Sequence, residues 1–433
     1  MRYLYGVILG IILMLIFIVN YKKNKDVFSP LSVFAFYQFI FYVPGIFFSS
    51  LEYGQEINNE TLLLLIIFQL VFVIFVFLGY TSFPSNKKSS KKPIYVAREK
   101  NINISLGYIL LLYFIGLSGK IYTIVKSGGI SYVINNPALA YVNLSSGSGY
   151  LEMLKYFVYI SIIFIIYKVS KTGSKLNIFI AINMISIYLF LDLIYSRRST
   201  TITIAILILF SINYFNKKIK VKNLFKFKYI SLFFLVFTTI VVLPYVRLSN
   251  FSNFSFVNSN INITQSITDI IARLSMVGRD IFTYNYFTDN GLWLGKSYIN
   301  FPYSFVPSSI WTAKPPIDEG VYLTNLMNGI FVTPNQSFQS LVIKISTPFT
   351  TQGILFANFG VLGIIFGGFM IGLVYKIAYV HITRKETTIF DFVLYRILIF
   401  DFGLSVLYLF SITIQFIVLG ISKIFYRFRF RLK

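Results

Sequence analysis

Eleven long apolar runs decide what this chain can fold into. They lie near Leu4–Val19, Ser29–Phe48, Thr61–Gly79, Ile104–Leu117, Leu151–Val169, Leu176–Ile194, Thr200–Phe215, Tyr229–Leu243, Leu355–Val374, Ile389–Leu404 and Ser405–Ile421. About 18 apolar residues at 1.5 Å each cover most of the roughly 30 Å hydrocarbon core of a bilayer. Inside that core every backbone amide and carbonyl needs an internal partner, which helices provide. The sequence therefore predicts an all-α polytopic membrane protein of about eleven transmembrane helices, ten to twelve at the limits. The first run is followed by YKKNKD and by no small-residue cleavage site, so it is predicted to stay as a span.

The net charge of +24 in 433 residues would suggest nucleic acid in a soluble chain. Its placement excludes that partner. Lys and Arg collect in loops 21–25, 86–100, 168–175, 216–228 and 384–386 and in the tail 423–433, alternating with loops such as SSLEYGQEINNE (49–60) that hold none. This is the positive-inside pattern beside membrane lipids, and it places the C-terminus in the cytoplasm and the N-terminus outside. There is no cysteine, so neither disulfides nor thiol ligation operate.

With that topology three regions are predicted. Residues 1–245 form an N-terminal transmembrane bundle with an outer segment at 118–150. Residues 246–352 form a large outer loop, and 353–433 form C-terminal helices with a basic cytoplasmic tail. Within the outer loop, TQSITDIIARLSMVGRDIFTYNYF (264–287) reads as an amphipathic helix. Ile270, Leu274, Val277 and Ile281 share its apolar face, and Asp269, Arg273 and Asp280 share a solvated one. The following GLWLGKSYINFPYSFVPSSIWTAKPPIDEG (291–320) reads as an ordered irregular loop fixed by its prolines. Gly360, Gly363, Gly367 and Gly368 in the returning span are expected to allow close helix approach.

Several cations stand on the outer side against the usual bias: Arg197 and Arg198 in the short turn YSRRST, then Arg247, Arg273, Arg279, Lys296 and Lys314. Asp192 lies five residues before Arg197 and is expected to pair with the arginines. The few other acids in or near spans are Glu152, Asp391 and Asp401, which leaves the predicted mid-membrane lining mostly neutral. The single histidine, His381, is predicted to be cytoplasmic, and no Walker A, dinucleotide, HExxH or DxD motif occurs. What remains is an outer site of arginines, lysines, carboxylates and aromatics that needs no cofactor. Arginine makes bidentate contacts to phosphate oxygens, so this set suits a lipid carrier bearing a diphosphate. Aromatic residues of the loop, Tyr303 and Trp311, suit sugar faces.

The segments KNKDVFSPLSVFAFYQFIFYVPG, SGGISYVINN, YSRRST, GRDIF, GKSYINFPYSFVPSSIWTAKPP and GILFANFGVLGIIFGG, taken in order, make the chain resemble the O-antigen polymerases (Wzy), in the oligosaccharide repeat unit polymerase branch. The resemblance implies a metal-independent, inverting glycosyl transfer at the periplasmic face of a bacterial inner membrane. A glycan on undecaprenyl diphosphate would pass to the non-reducing end of a new lipid-linked repeat unit. A chain-length regulator and a flippase of the same pathway are the implied partners. Outer-loop arginines are the functional residues that the resemblance implies, carried here by Arg197, Arg198 and Arg279, with Arg273, Arg247 and Lys314 in support. Without an outer histidine the general base is expected to be a carboxylate, with Asp280 the candidate. The acidic residue expected near the return span is replaced by Gln352 and Gly353. An O-antigen ligase, a lipid-linked oligosaccharide flippase and a structural partner in an assembly complex are the alternatives.

Overall fold

Apolar runs became helices wherever the computed structural model describes them, which is at residues 2–48, 51–52, 55–56, 58–83, 104–136, 149–195, 198–216, 218–219, 230–231, 234, 238, 271–272, 274–308, 310–383 and 387–431. The principal helices are α1 (Arg2–Asn24), α2 (Pro30–Phe48), α3 (Asn59–Ser82), α4 (Leu106–Lys126), α5 (Gly129–Asn135), α6 (Lys155–Thr172), α7 (Lys175–Leu193) and α8 (Arg198–Phe215). They continue with α9 (Val277–Asn290), α10 (Gly320–Met327), α11 (Thr351–Ile382), α12 (Ile389–Phe400) and α13 (Val406–Arg431). A two-residue antiparallel ribbon, Leu51–Glu52 with Gln55–Glu56, joins α2 to α3. Among the described residues eight helices are long and apolar enough to cross a membrane, and α8 carries a shorter apolar stretch. The expected span at Tyr229–Leu243 lies almost wholly outside the described residues.

Two apolar cores organise the bundle. One joins α1, α2, α3, α9, α10 and α11; the other joins α4, α6, α7, α8, α12 and α13. In lipid, close packing rather than water exclusion holds helices together, so small residues gather where backbones meet. A Cβ on Gly372 would stand 2.0 Å from the Val76 carbonyl oxygen, and one on Gly79 2.0 Å from that of Phe369. Only glycine permits α3 and α11 to lie this close. Gly368 serves the same contact, as expected. Gly360 does something else: at φ +62° and ψ −146° it breaks α11 internally, a conformation that L side chains avoid.

At the end of the bundle where the basic loops gather, KNKDVFSP forms a tight corner between α1 and α2. Asp26 there is buried and accepts hydrogen bonds from Tyr214 (2.6 Å), Asn213 (3.0 Å) and the Phe28 amide (3.0 Å). Burial raises its pKa above the ordinary carboxylate value. The corner thus ties the first helices to α8, and Tyr395 on α12 reaches the Phe28 carbonyl.

The run Ile389–Leu404 does not form a full span. Helix α12 ends at Phe400 after 12 residues, about 18 Å, and residues 401–405 turn the chain back into α13. The turn is supported from outside the bundle. Tyr298 donates to the Leu404 carbonyl at 2.6 Å and Glu319 accepts from the Val406 amide at 2.9 Å. Irregular backbone within a bundle of apolar helices needs protein partners, and Tyr298 and Glu319 provide them.

Candidate functional site

The last turns of α4 and α7, the start of α6 and α8, and the turn between α12 and α13 converge at the end of the bundle on which residues 274–350 pack. This is the outer end of the predicted topology. They enclose a cavity of about 260 Å³ whose lining includes Lys120, Glu152, Lys155, Asp192, Arg396 and Asp401, with the hydroxyls of Tyr156, Tyr159, Ser199, Thr200, Thr203, Tyr408 and Ser411. Three cations and three carboxylates in a membrane bundle are costly and mark a functional site. Lys120 and Asp192 form a buried ion pair, as do Arg396 and Asp401. Arg396 also donates to Gln415 at 3.1 Å, and its guanidinium stands 5.5 Å from the Tyr159 ring centre. Lys155 lies over the Tyr156 ring at 5.5 Å. The second oxygen of Asp192 is buried with no partner among the described residues. Such an oxygen is an open seat for a donor such as a sugar hydroxyl.

A second cavity of about 200 Å³ lies beside the first. Its polar lining is uncharged, with Gln38, Tyr42, Thr350 and Gln352, and its walls are mostly aromatic, including Tyr37, Phe41, Phe349 and Phe402. The turn after α12 is the partition. Arg396 and Asp401 face the charged cavity, Phe400 and Phe402 face the aromatic one, and Tyr408 lines both.

Asp280 stands behind the aromatic cavity. It is fully buried, and its oxygens accept from Tyr42 Oη and Thr350 Oγ1, each at 2.5 Å. Thr350 in turn caps α11 by accepting from the Gly353 amide at 2.7 Å. The positive end of α11 therefore faces the carboxylate. A Cβ at Gly353 would stand 3.0 Å from Asp280 Oδ1, so the small residue makes room. The return span carries no acid at Gln352 and Gly353 because a carboxylate arrives there from α9 instead. The neighbouring Arg279 is 6% exposed and does not pair with it. Its guanidinium donates to the carbonyls of Ser275 (3.0 Å) and Pro348 (3.2 Å), stitching the start of α9 to the strand that enters α11.

The expected amphipathic helix is corrected in two ways. Its described part is helical at residues 271, 272 and 274, breaks at Ser275 and Met276, where the Met276 amide is taken by the Phe41 carbonyl at 3.0 Å, and resumes at Val277, residues 264–270 lying outside the described residues; Arg279 and Asp280 point into the protein, not to solvent. Val277 and Ile281 are buried as expected. Asp192 pairs with Lys120, and the arginine side chains it was expected to meet lie outside the described residues. Arg197, Arg247 and Arg273 lie outside the described residues, as does the Arg198 side chain. Arg198 nevertheless opens α8, and the next residues, Ser199 and Thr200, line the charged cavity. Lys314 is buried and committed to protein partners: the carbonyls of Val306 (2.6 Å) and Ser304 (3.3 Å) and the Tyr150 hydroxyl (3.2 Å). Burial lowers its pKa. Tyr303 and Trp311 meet edge to face at 5.1 Å on the outer segment and line neither cavity. Sequence reasoning passed over Lys120, Lys155 and Arg396. The only available signal was cations lying within or at the ends of apolar runs.

Glu319 holds the partition in place and is 2% exposed. Burial raises its carboxyl to about 8, against backbone hydrogen bonds that pull the other way. A raised carboxyl pKa favours the folded state fully below the unfolded value near 4.5 and loses that advantage as pH rises toward 8. The purified protein is expected to lose thermal stability from pH 5 to pH 9, and Glu319→Gln is expected to flatten that slope. A Glu319→Gln melting curve with the wild-type pH slope would show that Glu319 does not titrate there.

A family model described as O-antigen polysaccharide polymerase Wzy matches residues 1–346. No curated protein and no solved structure matches the chain. The matched region holds Lys120, Lys155, Asp192 and Asp280, while Arg396, Asp401 and Tyr408 follow it.

Proposed function

The chain belongs to the O-antigen polysaccharide polymerase Wzy family, and we propose that its charged cavity holds the glycosyl diphosphate head of an undecaprenyl-linked donor at the periplasmic face of a bacterial inner membrane. The observation that carries this reading is the set of Lys120, Lys155 and Arg396 around one cavity among the outer helix ends, with carboxylates interleaved. The cations suit phosphate oxygens, and the carboxylates and hydroxyls suit sugar hydroxyls. Arg198, the first residue of α8, and Arg197 before it are assigned the same phosphate-binding role on their nearness in sequence to Ser199 and Thr200 of the lining. Transfer then releases the carrier diphosphate, whose developing charge fixed cations stabilise. The acceptor is a new lipid-linked repeat unit, whose non-reducing-end hydroxyl attacks the anomeric carbon of the donor with inversion there. Arg279 acts as a positioning residue for the α9 and α11 junction, Lys314 as a staple of the outer segment, and Tyr303 with Trp311 as an aromatic surface for the emerging glycan.

The charged lining also fits a lipid-linked oligosaccharide transporter, so the test must separate the two. Surface lipopolysaccharide from a strain lacking the gene is compared on a gel with the same strain carrying the wild-type gene. Core bearing a single repeat unit, restored to a ladder by the gene, supports the polymerase. Bare core with accumulated long lipid-linked glycan would indicate a ligase. Single lipid-linked units held on the cytoplasmic face would indicate a flippase.

A further inference from the structure

We propose that the aromatic cavity is the acceptor pocket and that Tyr42 takes the proton from the attacking sugar hydroxyl, relaying its own to Asp280. The proposal rests on the polymerase reading above and assigns a second site within it.

Three observations carry it. Among the described residues the cavity has no charged lining, which does not suit a diphosphate, whereas aromatic faces and side-chain amides and hydroxyls suit a saccharide. Its partition from the charged cavity is the turn carrying Asp401, with Tyr408 of α13 lining both, so contents of the two lie side by side. The amide of Gln352 supplies the third. Tyr42 has a single phenolic hydrogen, and it is directed at Asp280 Oδ2 at 2.5 Å. The Gln352 amide, 3.1 Å from the Tyr42 oxygen, must therefore donate through Nε2. Its Oε1 is then left buried, on a residue 2% exposed that lines the cavity, with no partner among the described residues. A hydroxyl of a bound sugar supplies the donor that this oxygen needs.

Asp280 is not among the described residues that line either cavity, and Tyr42 and Thr350, which line the aromatic cavity and hydrogen-bond to its two oxygens, connect it to an acceptor hydroxyl there. In the step, the acceptor oxygen bonds to the anomeric carbon of the donor. The bond from that carbon to the phosphate oxygen breaks, and its electron pair leaves with the diphosphate. The acceptor proton passes to the Tyr42 oxygen while the Tyr42 proton passes to Asp280 Oδ2, so the carboxylate is neutral once the bond has formed. Tyr42 is the group in contact with substrate; Asp280 acts through it.

The experiment uses the full chain, purified and reconstituted, with saturating long-chain lipid-linked donor and a varied lipid-linked single repeat unit. Undecaprenyl diphosphate without sugar serves as a separate binding probe for the charged cavity. Tyr42→Phe is expected to lower the extension rate about 100-fold, the scale of a lost proton-transfer group, with probe binding within twofold of wild type. Gln352→Leu is expected to raise KM for the single unit about tenfold with donor KM within twofold, a split that general damage to the fold would not produce. Extension by Tyr42→Phe at the wild-type rate, or a Gln352→Leu effect on donor KM alone, would overturn the assignment. A wild-type protein that extends nothing would instead defeat the polymerase reading.

Discussion

Arg396→Ala is expected to leave cells with single-repeat lipopolysaccharide and no ladder, with the extension rate of the purified protein down at least about 100-fold. Arg396 is 5% exposed and reaches the charged cavity from α12, a helix too short to span the membrane by itself. Its fork already contacts Asp401 and Gln415, and the ring of Tyr159 holds its plane. A hydrogen bond to a charged group contributes about 1.5–3 kcal/mol, and the guanidinium can give a phosphate two of them in fixed geometry. Lysine presents one compact charge without that fork, so Arg396→Lys should recover only part of the rate. Melting temperatures in detergent separate this from unfolding. Asp401 is 24% exposed in its side chain and loses little with the pair, whereas Gln415 is 2% exposed and loses the donor to its amide oxygen, at about 1–3 kcal/mol, so a modest drop in melting temperature is expected. A full ladder from Arg396→Ala would remove Arg396 from the site.

Lys120 poses the opposite problem, because its pair with Asp192 is buried on both sides, 9% and 2% exposed in the side chains. Removing one partner of such a pair leaves an uncompensated buried charge and costs about 3–5 kcal/mol, while replacing both by apolar groups is often near neutral. Lys120→Met is thus expected to lower the melting point strongly, and Lys120→Met with Asp192→Leu to restore it. Activity should follow a different course. If Lys120 meets phosphate and the open oxygen of Asp192 meets a sugar hydroxyl, the stable double variant remains unable to extend chains. A double variant that regains both stability and a ladder would reduce the pair to a structural element.

Much of the architecture was legible because span length and charge placement act locally. The helices, the outer segment at its end and the glycine contact at Gly368 all follow from short windows of sequence. The early end of α12 does not. Phe400, Phe402 and Leu404 are apolar enough to continue a span, and the turn is held by Tyr298 and Glu319, about 106 and 87 residues earlier in the chain. The site was legible in kind and displaced in place. Outer arginines drew the reading toward loops, whereas Lys120, Lys155 and Arg396 sit on helices, where a lone cation reads as an interruption. Asp280 could be singled out in the sequence as a carboxylate beside Arg279, but its burial depends on Tyr42 and Thr350, contributed by α2 and by the residue that caps α11. No periodicity on α9 could reveal partners 238 and 70 residues away.

The most direct measurement is a cryo-electron microscopy structure of the full chain in lipid nanodiscs with undecaprenyl diphosphate added. The account predicts density for two phosphates within hydrogen-bond distance of Arg396 and Lys155, with the aromatic cavity beside Tyr42 free of phosphate. Phosphate density in the aromatic cavity, or on the outer segment with the charged cavity unchanged, would contradict it.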